Sequence, residues 1–114
     1  MRIAVATSNQ KTVDLHFGKT STFSLYDVAR DAIHRAGTVE VTQYCASDPT
    51  HSLHEQRFAA IARALKGCRA VVCRQIGDLP RMSLAEEGIQ VYTAQREVDE
   101  ALREAWLLFS VGSE

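Results

Sequence analysis

The sequence has few cysteines, and this limits the setting in which the chain can work. Its 114 residues include three cysteines, an odd number, and no two of them form a Cys-x-x-Cys pair. This pattern gives no sign of a disulfide framework and favours a reducing compartment. The first residues also lack the apolar segment of a secretory signal peptide. Together these absences predict a cytoplasmic protein.

Long apolar runs and an excess of charge of one sign are absent as well. No stretch approaches the roughly 18 apolar residues of a membrane-spanning helix. Thirteen basic and 14 acidic residues give a net charge of −1. We therefore expect neither a membrane segment nor a nucleic-acid partner. With 46% hydrophobic residues and no low-complexity linker, residues 1–114 are expected to form one domain.

Hydrophobic patterning predicts the element order β-β-β-α-β-α-β-α. The strands are expected at about residues 2–8, 22–28, 32–42, 70–73 and 89–93. Ser52 and Glu55 match a capping box, which predicts a helix that starts at Ser52 and ends at Gly67. Asp78 is expected to cap a second, brief helix, and the apolar spacing after Val98 predicts a third.

The connections between these elements predict the sheet. The short turn at residues 29–31 makes strands two and three a hairpin, with Gly37 expected to mark a bulge. Right-handed crossovers then bring strand four to the other side of strand one. The result is an α/β fold with a mixed sheet of order 3-2-1-4-5, strand two antiparallel to the rest, and helices on its faces. Open α/β sheets bind ligands at the carboxyl edge, where the connections diverge.

A loop without helical or strand periodicity follows strand one, and it contains the sequence VDLHFG at residues 13–18. Long loops inside small domains are usually functional or disordered, and the apolar Leu15 and Phe17 favour a semi-ordered loop at the sheet edge. His16 is the main candidate ligand, because imidazole suits iron, copper, zinc and nickel. Gly18 would let the backbone approach a bulky ligand. The alternative is that His16 only forms hydrogen bonds within the loop.

Two cysteines are expected at the same edge of the sheet. Cys73 ends strand four, and Cys45 lies in the loop after strand three. Cys45 also forms a C-x5-H-x2-H group with His51 and His54, although zinc sites prefer other spacings. Each has a simpler alternative, since buried free cysteine is usually a small hydrophobic residue and a polar loop is usually only solvated.

Basic side chains can reach this edge too. Lys11, Lys19 and Arg74 would favour an anionic ligand, although scattered basic residues are more often only solvated. Trp106, on the last helix, is expected in the core or at the margin of an interface.

The familiar catalytic motifs are absent. The chain has no G-x-G-x-x-G, Walker loop, G-x-S-x-G or H-E-x-x-H sequence. Two-metal hydrolysis needs clustered carboxylates, and the first strand contains none. We therefore predict that the protein is not an enzyme, with a metal-dependent nuclease as the less favoured alternative.

Short motifs along nearly the whole chain resemble the dinitrogenase iron–molybdenum cofactor-binding family. This family contains small nitrogenase accessory proteins and the matching domain of the radical enzyme of cofactor biosynthesis. In the first half the likeness lies in strand one, His16-Phe17-Gly18 and strand two. In the second half it lies in Leu65, Gly67-Cys68, Val71-Val72, Ile76-Gly77, Leu84 and Gly88-Ile89. Tyr44-Cys45 is similar to a Tyr-Cys pair in some relatives, but the glycine-rich continuation is replaced by Ala46-Ser47-Asp48.

The resemblance implies a ribonuclease H-like three-layer fold and a non-enzymatic role. That role is to bind or carry the iron–molybdenum cofactor, or its iron–sulfur precursor cluster, between nitrogenase cofactor-assembly proteins. The expected site residues are His16, Phe17, Gly18, Lys19 and Arg74 for the cofactor, and His16, Cys45 and Cys73 for the metal. Two alternatives stay open: an interaction module for an assembly partner, and a carrier of a different cluster, such as one of molybdenum and copper.

Overall fold

Five strands form one mixed sheet in the protein. The computed structural model describes residues 1–41 and 51–110, without the side chains of residues 51–57. The strands are β1 (Arg2–Val5), β2 (Thr22–Ala29), β3 (Ala32–Glu40), β4 (Ala70–Cys73) and β5 (Gln90–Thr93), and their order is β3-β2-β1-β4-β5. Strand β2 is antiparallel to both of its neighbours, whereas the β1–β4 and β4–β5 pairs are parallel. The predicted strand order and directions are confirmed.

Helices cover both faces of this sheet. They are α1 (His51–Ala64), α2 (Asp78–Glu86) and α3 (Val98–Ser110), and a short 3-10 helix spans Phe17–Lys19. Side chains of α1 and α2 share one core cluster with one face of the sheet, and side chains of α3 share a second cluster with the other face. The expected three-layer α/β architecture is therefore confirmed.

The alternation of side chains along β1 explains why a central strand can be apolar throughout. Ile3 and Val5 point into the α3 core, and Ala4 and Ala6 point into the α1–α2 core. All four residues are fully buried. A central strand that is covered on both faces needs this continuous apolar run, whereas a half-exposed strand would alternate with polar residues.

The predicted bulge in β3 is present. Its register against β2 shifts where Leu25 faces Gly37 and Tyr26 faces Arg35, which leaves Ala36 without an opposite residue. Gly37 has a φ of +125°, a conformation that side chains with a Cβ rarely adopt. The bulge bends the outermost strand, and such a bend discourages unwanted pairing at a sheet edge.

Some boundaries differ from the predicted ones. β1 ends at Val5 rather than at residue 8, because the chain leaves the ladder in a polar turn that begins at Thr7. β3 ends at Glu40, two residues earlier than expected, and β2 continues one residue further, to Ala29. Among the residues described, no helix is long and apolar enough to cross a membrane.

Two predicted helix caps also differ. Gly77 occupies the N-cap of α2 and makes no side-chain cap, while Asp78 is the first helical residue. A carboxylate in the first turn still interacts favourably with the helix dipole, so Asp78 retains a stabilising role by another route. Helix α1 already includes His51, so the predicted cap residue Ser52 falls inside the helix. The side chains of Ser52 and Glu55 lie outside the described part.

Candidate functional site

The chain leaves β1 through a hydrogen-bonded turn. Thr7 Oγ1 donates to the carbonyl of Thr12 at 2.6 Å and accepts from the N–H of Gln10 at 3.0 Å. Asn9 Oδ1 accepts from the N–H groups of Lys11 and Thr12, at 2.8 and 2.9 Å. These side-chain oxygens satisfy backbone amides that no strand partner reaches, so the turn has a defined shape.

The next residues of the loop are tied to the start of α3. The N–H of Val13 donates to the carbonyl of Arg96 at 2.9 Å, and the N–H of Val98 donates to the carbonyl of Lys11 at 2.8 Å. The Val13 side chain is 1% exposed and belongs to the α3 core. This part of the loop is therefore joined to the start of α3 by an isolated antiparallel bridge between Thr12 and Glu97 and by the buried Val13 side chain.

The loop then enters the space between the ends of β1 and β4. The N–H of Leu15 donates to the carbonyl of Ala6 at 3.3 Å, and the carbonyl of Leu15 accepts from the N–H of Arg74 at 2.9 Å. One step further, the N–H of Phe17 donates to the carbonyl of Gln75 at 2.8 Å. These pairings continue the ladder where β1 and β4 separate, including a parallel bridge between His16 and Gln75. The expectation that the loop is semi-ordered stays a prediction.

Phe17 anchors this loop in the core, and His16 is displayed beside it. The Phe17 side chain is 1% exposed, and its ring lies 5.8 Å from that of Phe23, tilted by 48°. The carbonyl of His16 accepts from the N–H of Lys19 at 3.0 Å and from Oγ1 of the buried Thr20 at 2.7 Å. The backbone of His16 is therefore held in place, while its imidazole is exposed to solvent.

The two residues after Phe17 differ in exposure. Gly18 is buried, and the positive-φ glycines of the described residues do not include it. Its predicted part in the approach of a ligand remains a prediction. Lys19 is exposed and follows His16 by three positions in the 3-10 turn. His16 is the extended N-cap residue of this turn, and the N–H of Lys19 donates to its carbonyl at 3.0 Å, so the two residues are neighbours in the loop.

Arg74 lies beside the loop in a defined polar setting. The Gln95 side chain is oriented with its amide oxygen toward the exposed Arg74. The Arg74 guanidinium donates to this oxygen from Nη2 at 2.9 Å and from Nε at 2.7 Å. Asp14 lies close by, and its carboxylate accepts from the N–H of Ser8 at 2.8 Å and from the Ser8 hydroxyl. Burial alone would raise the pKa of Asp14, but the bonds from Ser8 and the charge of Arg74 outweigh burial and lower it. Asp14 is therefore ionised at neutral pH.

This arrangement offers few donor atoms to a metal. Across the described residues, no group of three or more His, Cys, Asp or Glu side chains could hold a metal ion. His16 presents one nitrogen donor where β1 and β4 separate. The exposed Lys19 and Arg74 are connected to the same loop through backbone hydrogen bonds to the carbonyls of His16 and Leu15. The described side chains can thus contribute one bond and an electrostatic attraction to a preformed anionic group, which would have to bring its other ligands with it.

A comparison with protein families identifies the chain. The model of the dinitrogenase iron–molybdenum cofactor family matches residues 1–107. The chain belongs to this family. The match includes the whole sheet and the His16-Phe17-Gly18 segment. The resemblance seen in the short sequence motifs is therefore confirmed.

Curated relatives within the family carry names from nitrogenase cofactor biosynthesis. The FeMo cofactor biosynthesis protein NifB of Azotobacter vinelandii is 39% identical over 88 residues, which are 77% of this chain and 18% of that protein. Protein NifX of Sinorhizobium fredii is 35% identical over 78 residues, 68% of this chain and 49% of NifX. The chain thus spans under a fifth of this NifB and about half of this NifX.

A solved structure supports the fold independently. The crystal structure of PH0822 superimposes with a TM-score of 0.65 at 20% identity, covering 92% of this chain and 88% of the other. At this level of identity the likeness concerns the fold alone. It agrees with the three-layer architecture described above.

Of the two candidate cysteines, the structure describes only Cys73. Cys73 is fully buried in the α1–α2 core, and burial raises the pKa of its thiol to about 12. A cysteine ligand must lose its proton, so this setting gives no support to a metal-binding role for Cys73. Cys45 lies outside the described residues, as do the side chains of His51 and His54, and their predicted roles remain predictions.

Several residues that position the loop were not singled out by sequence reasoning. Thr20 supports the His16 carbonyl, Ser8 holds Asp14, and Gln95 holds Arg74. Gln95 lies two residues after the end of β5, so the rule that carboxyl ends share one edge could have found it. Thr20 and Ser8 lack such a signal, because small hydroxyl residues are common in every loop.

Proposed function

We propose that this chain is a non-enzymatic carrier, in the cytoplasm, of an iron–sulfur or iron–molybdenum cluster during nitrogenase cofactor biosynthesis. The observation that carries the proposal is His16, an exposed imidazole on a fixed backbone where β1 and β4 separate. Membership of the family supports the class of cargo. The names of the NifB and NifX relatives support cofactor-assembly proteins as the partners that deliver and receive it.

His16 would supply a direct bond to a metal of the cluster. Neutral imidazole is a good ligand for iron, and the exposed ring can meet a large cargo without opening the core. Phe17 would contribute indirectly, because its buried ring holds the loop in place. Backbone that is fixed before binding does not have to be ordered when the cargo arrives, which favours binding.

Lys19 and Arg74 would hold the cluster by charge. Iron–sulfur clusters with thiolate and sulfide ligands are anionic, and long cationic side chains attract such groups without a covalent bond. Gln95 keeps the Arg74 guanidinium at the edge of the sheet. Exposed charges are screened by salt, so this part of the affinity should fall as ionic strength rises.

A small number of protein ligands suits a carrier. A closed four-ligand site would bind a metal too tightly for rapid release, whereas one imidazole and two cations leave most of the cluster open to the next protein. Cys45 is the predicted second ligand, and its contribution can be measured directly by substitution. We omit Cys73 from the proposed contacts because it is buried.

The test is retention of isolated cofactor under strictly anaerobic conditions. The wild-type chain is mixed with the cofactor, passed through a gel-filtration column, and analysed for iron and molybdenum in the protein peak. We expect His16→Ala to retain much less metal than the wild type. His34→Ala is the matched control, because His34 is also exposed but pairs with Asp27, near the start of β1 and far from the site.

Two outcomes would count against the proposal. Equal metal retention by His16→Ala and His34→Ala would remove the imidazole from the mechanism. Recovery of a cofactor-assembly partner on a column of metal-free protein, with no retention of cofactor by the wild type, would favour an interaction module instead. Arg74→Gln and Lys19→Gln should each weaken retention and make it less dependent on salt.

A further inference from the structure

A second surface feature lies at the end of the sheet away from His16. Ala29 and Arg30, in the β2–β3 turn, and Arg103, Trp106 and Leu107, on α3, line a groove of about 290 Å³. The amino group of Met1 donates to the carbonyl of Val28 at 3.0 Å, so this turn lies beside the start of β1. The loop of His16 follows the other end of β1. The groove and the proposed cluster site are therefore separate.

The polar side chains of this groove are all hydrogen-bond donors. Arg30 and Arg103 each carry a guanidinium group, and Trp106 carries an indole N–H, which can only donate. Within residues 1–41 and 51–110, these three side chains have no hydrogen-bond or ion-pair partner. The remaining lining is apolar, from Ala29 and Leu107. A complementary occupant must therefore offer acceptors, preferably charged ones, together with an apolar group.

The indole of Trp106 makes the groove more than a flat basic patch. Trp106 is half-buried and packs against the α3 core, so its position is fixed by contacts below it. Leu107 is 56% exposed and extends the apolar surface out of the groove. Tryptophan and arginine are the side chains that most often dominate the binding energy of protein interfaces.

We propose that this groove binds a short segment of a partner protein in which a large apolar side chain is flanked by Asp or Glu. The volume accommodates one such side chain and lies just below the usual range of about 300–1,000 Å³ for small-molecule sites. The exposed Leu107 gives the flanking residues of a segment further apolar contact. The two unpaired guanidinium groups pair with carboxylates, which they can bind through two parallel hydrogen bonds.

The test uses the fluorescence of Trp106, which is the single tryptophan of the chain. The probe is the peptide Gly-Glu-Asp-Leu-Glu-Asp-Gly, and its counterpart carries lysine at each acidic position. In cluster-free, full-length protein, the acidic peptide should produce a saturable change in emission, and the lysine peptide should not. Arg30→Gln and Arg103→Gln should each weaken binding by about tenfold, the loss expected for a charged hydrogen-bonded contact.

Matched variants separate this site from the rest of the molecule. Arg63→Gln removes an exposed arginine from α1, on the other face of the sheet, and should bind the acidic peptide as the wild type does. His16→Ala should also bind it normally, so the groove and the cluster site can fail independently. Far-ultraviolet circular dichroism of each variant checks that the fold is retained.

Four results would overturn the proposal. The first is no change in Trp106 emission with either peptide, and the second is an equal response to both. The third is a dimer that forms with rising protein concentration and is lost in Arg103→Gln, which would assign the groove to a second copy of the chain. The fourth is a response to vesicles of anionic phospholipid in place of the acidic peptide, which would assign it to a membrane surface.

Discussion

Replacement of Phe17 by alanine tests whether the His16 loop is part of the core. The Phe17 side chain is 1% exposed and packs in the same cluster as Phe23, 5.8 Å away between ring centroids. Truncation of a buried phenylalanine removes its burial and leaves a cavity, at a cost of about 3–5 kcal/mol. Such a loss is a large part of the roughly 5–15 kcal/mol that stabilises a small domain. Phe17→Ala should therefore unfold at a much lower concentration of urea.

Urea unfolding, followed by circular dichroism, measures this loss. With an unfolding slope of about 1.5–2 kcal/mol per molar urea, the midpoint should fall by roughly 1.5–3.3 M. Phe23→Ala is the matched control, since it removes the partner ring from β2 and should cost a similar amount. The double variant should show a coupling of about 0.5–1.5 kcal/mol, the usual value for an aromatic pair in contact.

The two variants should differ in cluster binding. At a urea-free condition where both are folded, Phe17→Ala should retain less cofactor than Phe23→Ala, because it releases the residue that holds the His16 backbone. A cost below about 1 kcal/mol for Phe17→Ala would refute the burial of this loop, since surface changes have effects of that size. Equal retention of cofactor by both variants would show that the anchor does not position His16.

Three further predictions concern variants with a single substitution. Because the pKa of Asp14 is lower in the folded protein, its carboxylate stabilises the fold above its unfolded pKa of 3.8 and loses this effect as the pH falls through the lowered value. Asp14→Asn should therefore be less stable than the wild type at pH 7 and converge with it in acid, and a constant difference would contradict this. In Cys45→Ser the two remaining thiols, Cys68 and Cys73, are buried and have raised pKa values. A thiol reagent at pH 8 should therefore label them much more slowly in the folded protein than in urea, and labelling within seconds in the folded protein would count against this. Gly37→Ala should lower the free energy of unfolding in urea by about 1–3 kcal/mol, because a φ of +125° is strained for alanine. Nothing lies within 4 Å of the added Cβ, so a neutral effect would exclude backbone strain.

The sheet could be predicted from the sequence because its determinants are local. The turn at residues 29–31 is too short for anything except a hairpin, and the chirality of crossovers then fixes the place of β4. The bulge was predictable for a similar reason, because Gly37 is a glycine inside a strand pattern. The ends of the strands were harder to predict. β1 ends before the turn in which the Thr7 hydroxyl donates to the carbonyl of Thr12, and hydrophobic periodicity does not indicate such a contact.

The sequence could place the candidate residues near the ends of β1 and β4, but it could not show which of their side chains are buried. Phe17 was expected with His16 as a contact of the cofactor, whereas its ring is in the core. Apolar residues in a loop indicate that the loop packs on the core, but they do not show which side chain points inward. The groove at Arg30, Arg103 and Trp106 was beyond sequence reasoning, because it joins a turn and a helix more than 70 positions apart. Such residues are brought together only by the fold of the whole chain.

The most direct measurement of the central claim is the bond between His16 and the cluster. Protein with nitrogen-15 in its histidines is loaded anaerobically with isolated cofactor in a paramagnetic state and examined by pulsed electron paramagnetic resonance. We predict a nitrogen-15 coupling from a metal-bound imidazole in the wild type and in His34→Ala, and its loss in His16→Ala. A coupling that persists in His16→Ala, or its absence in wild-type protein that has retained the cofactor, would contradict the proposal that His16 is the ligand.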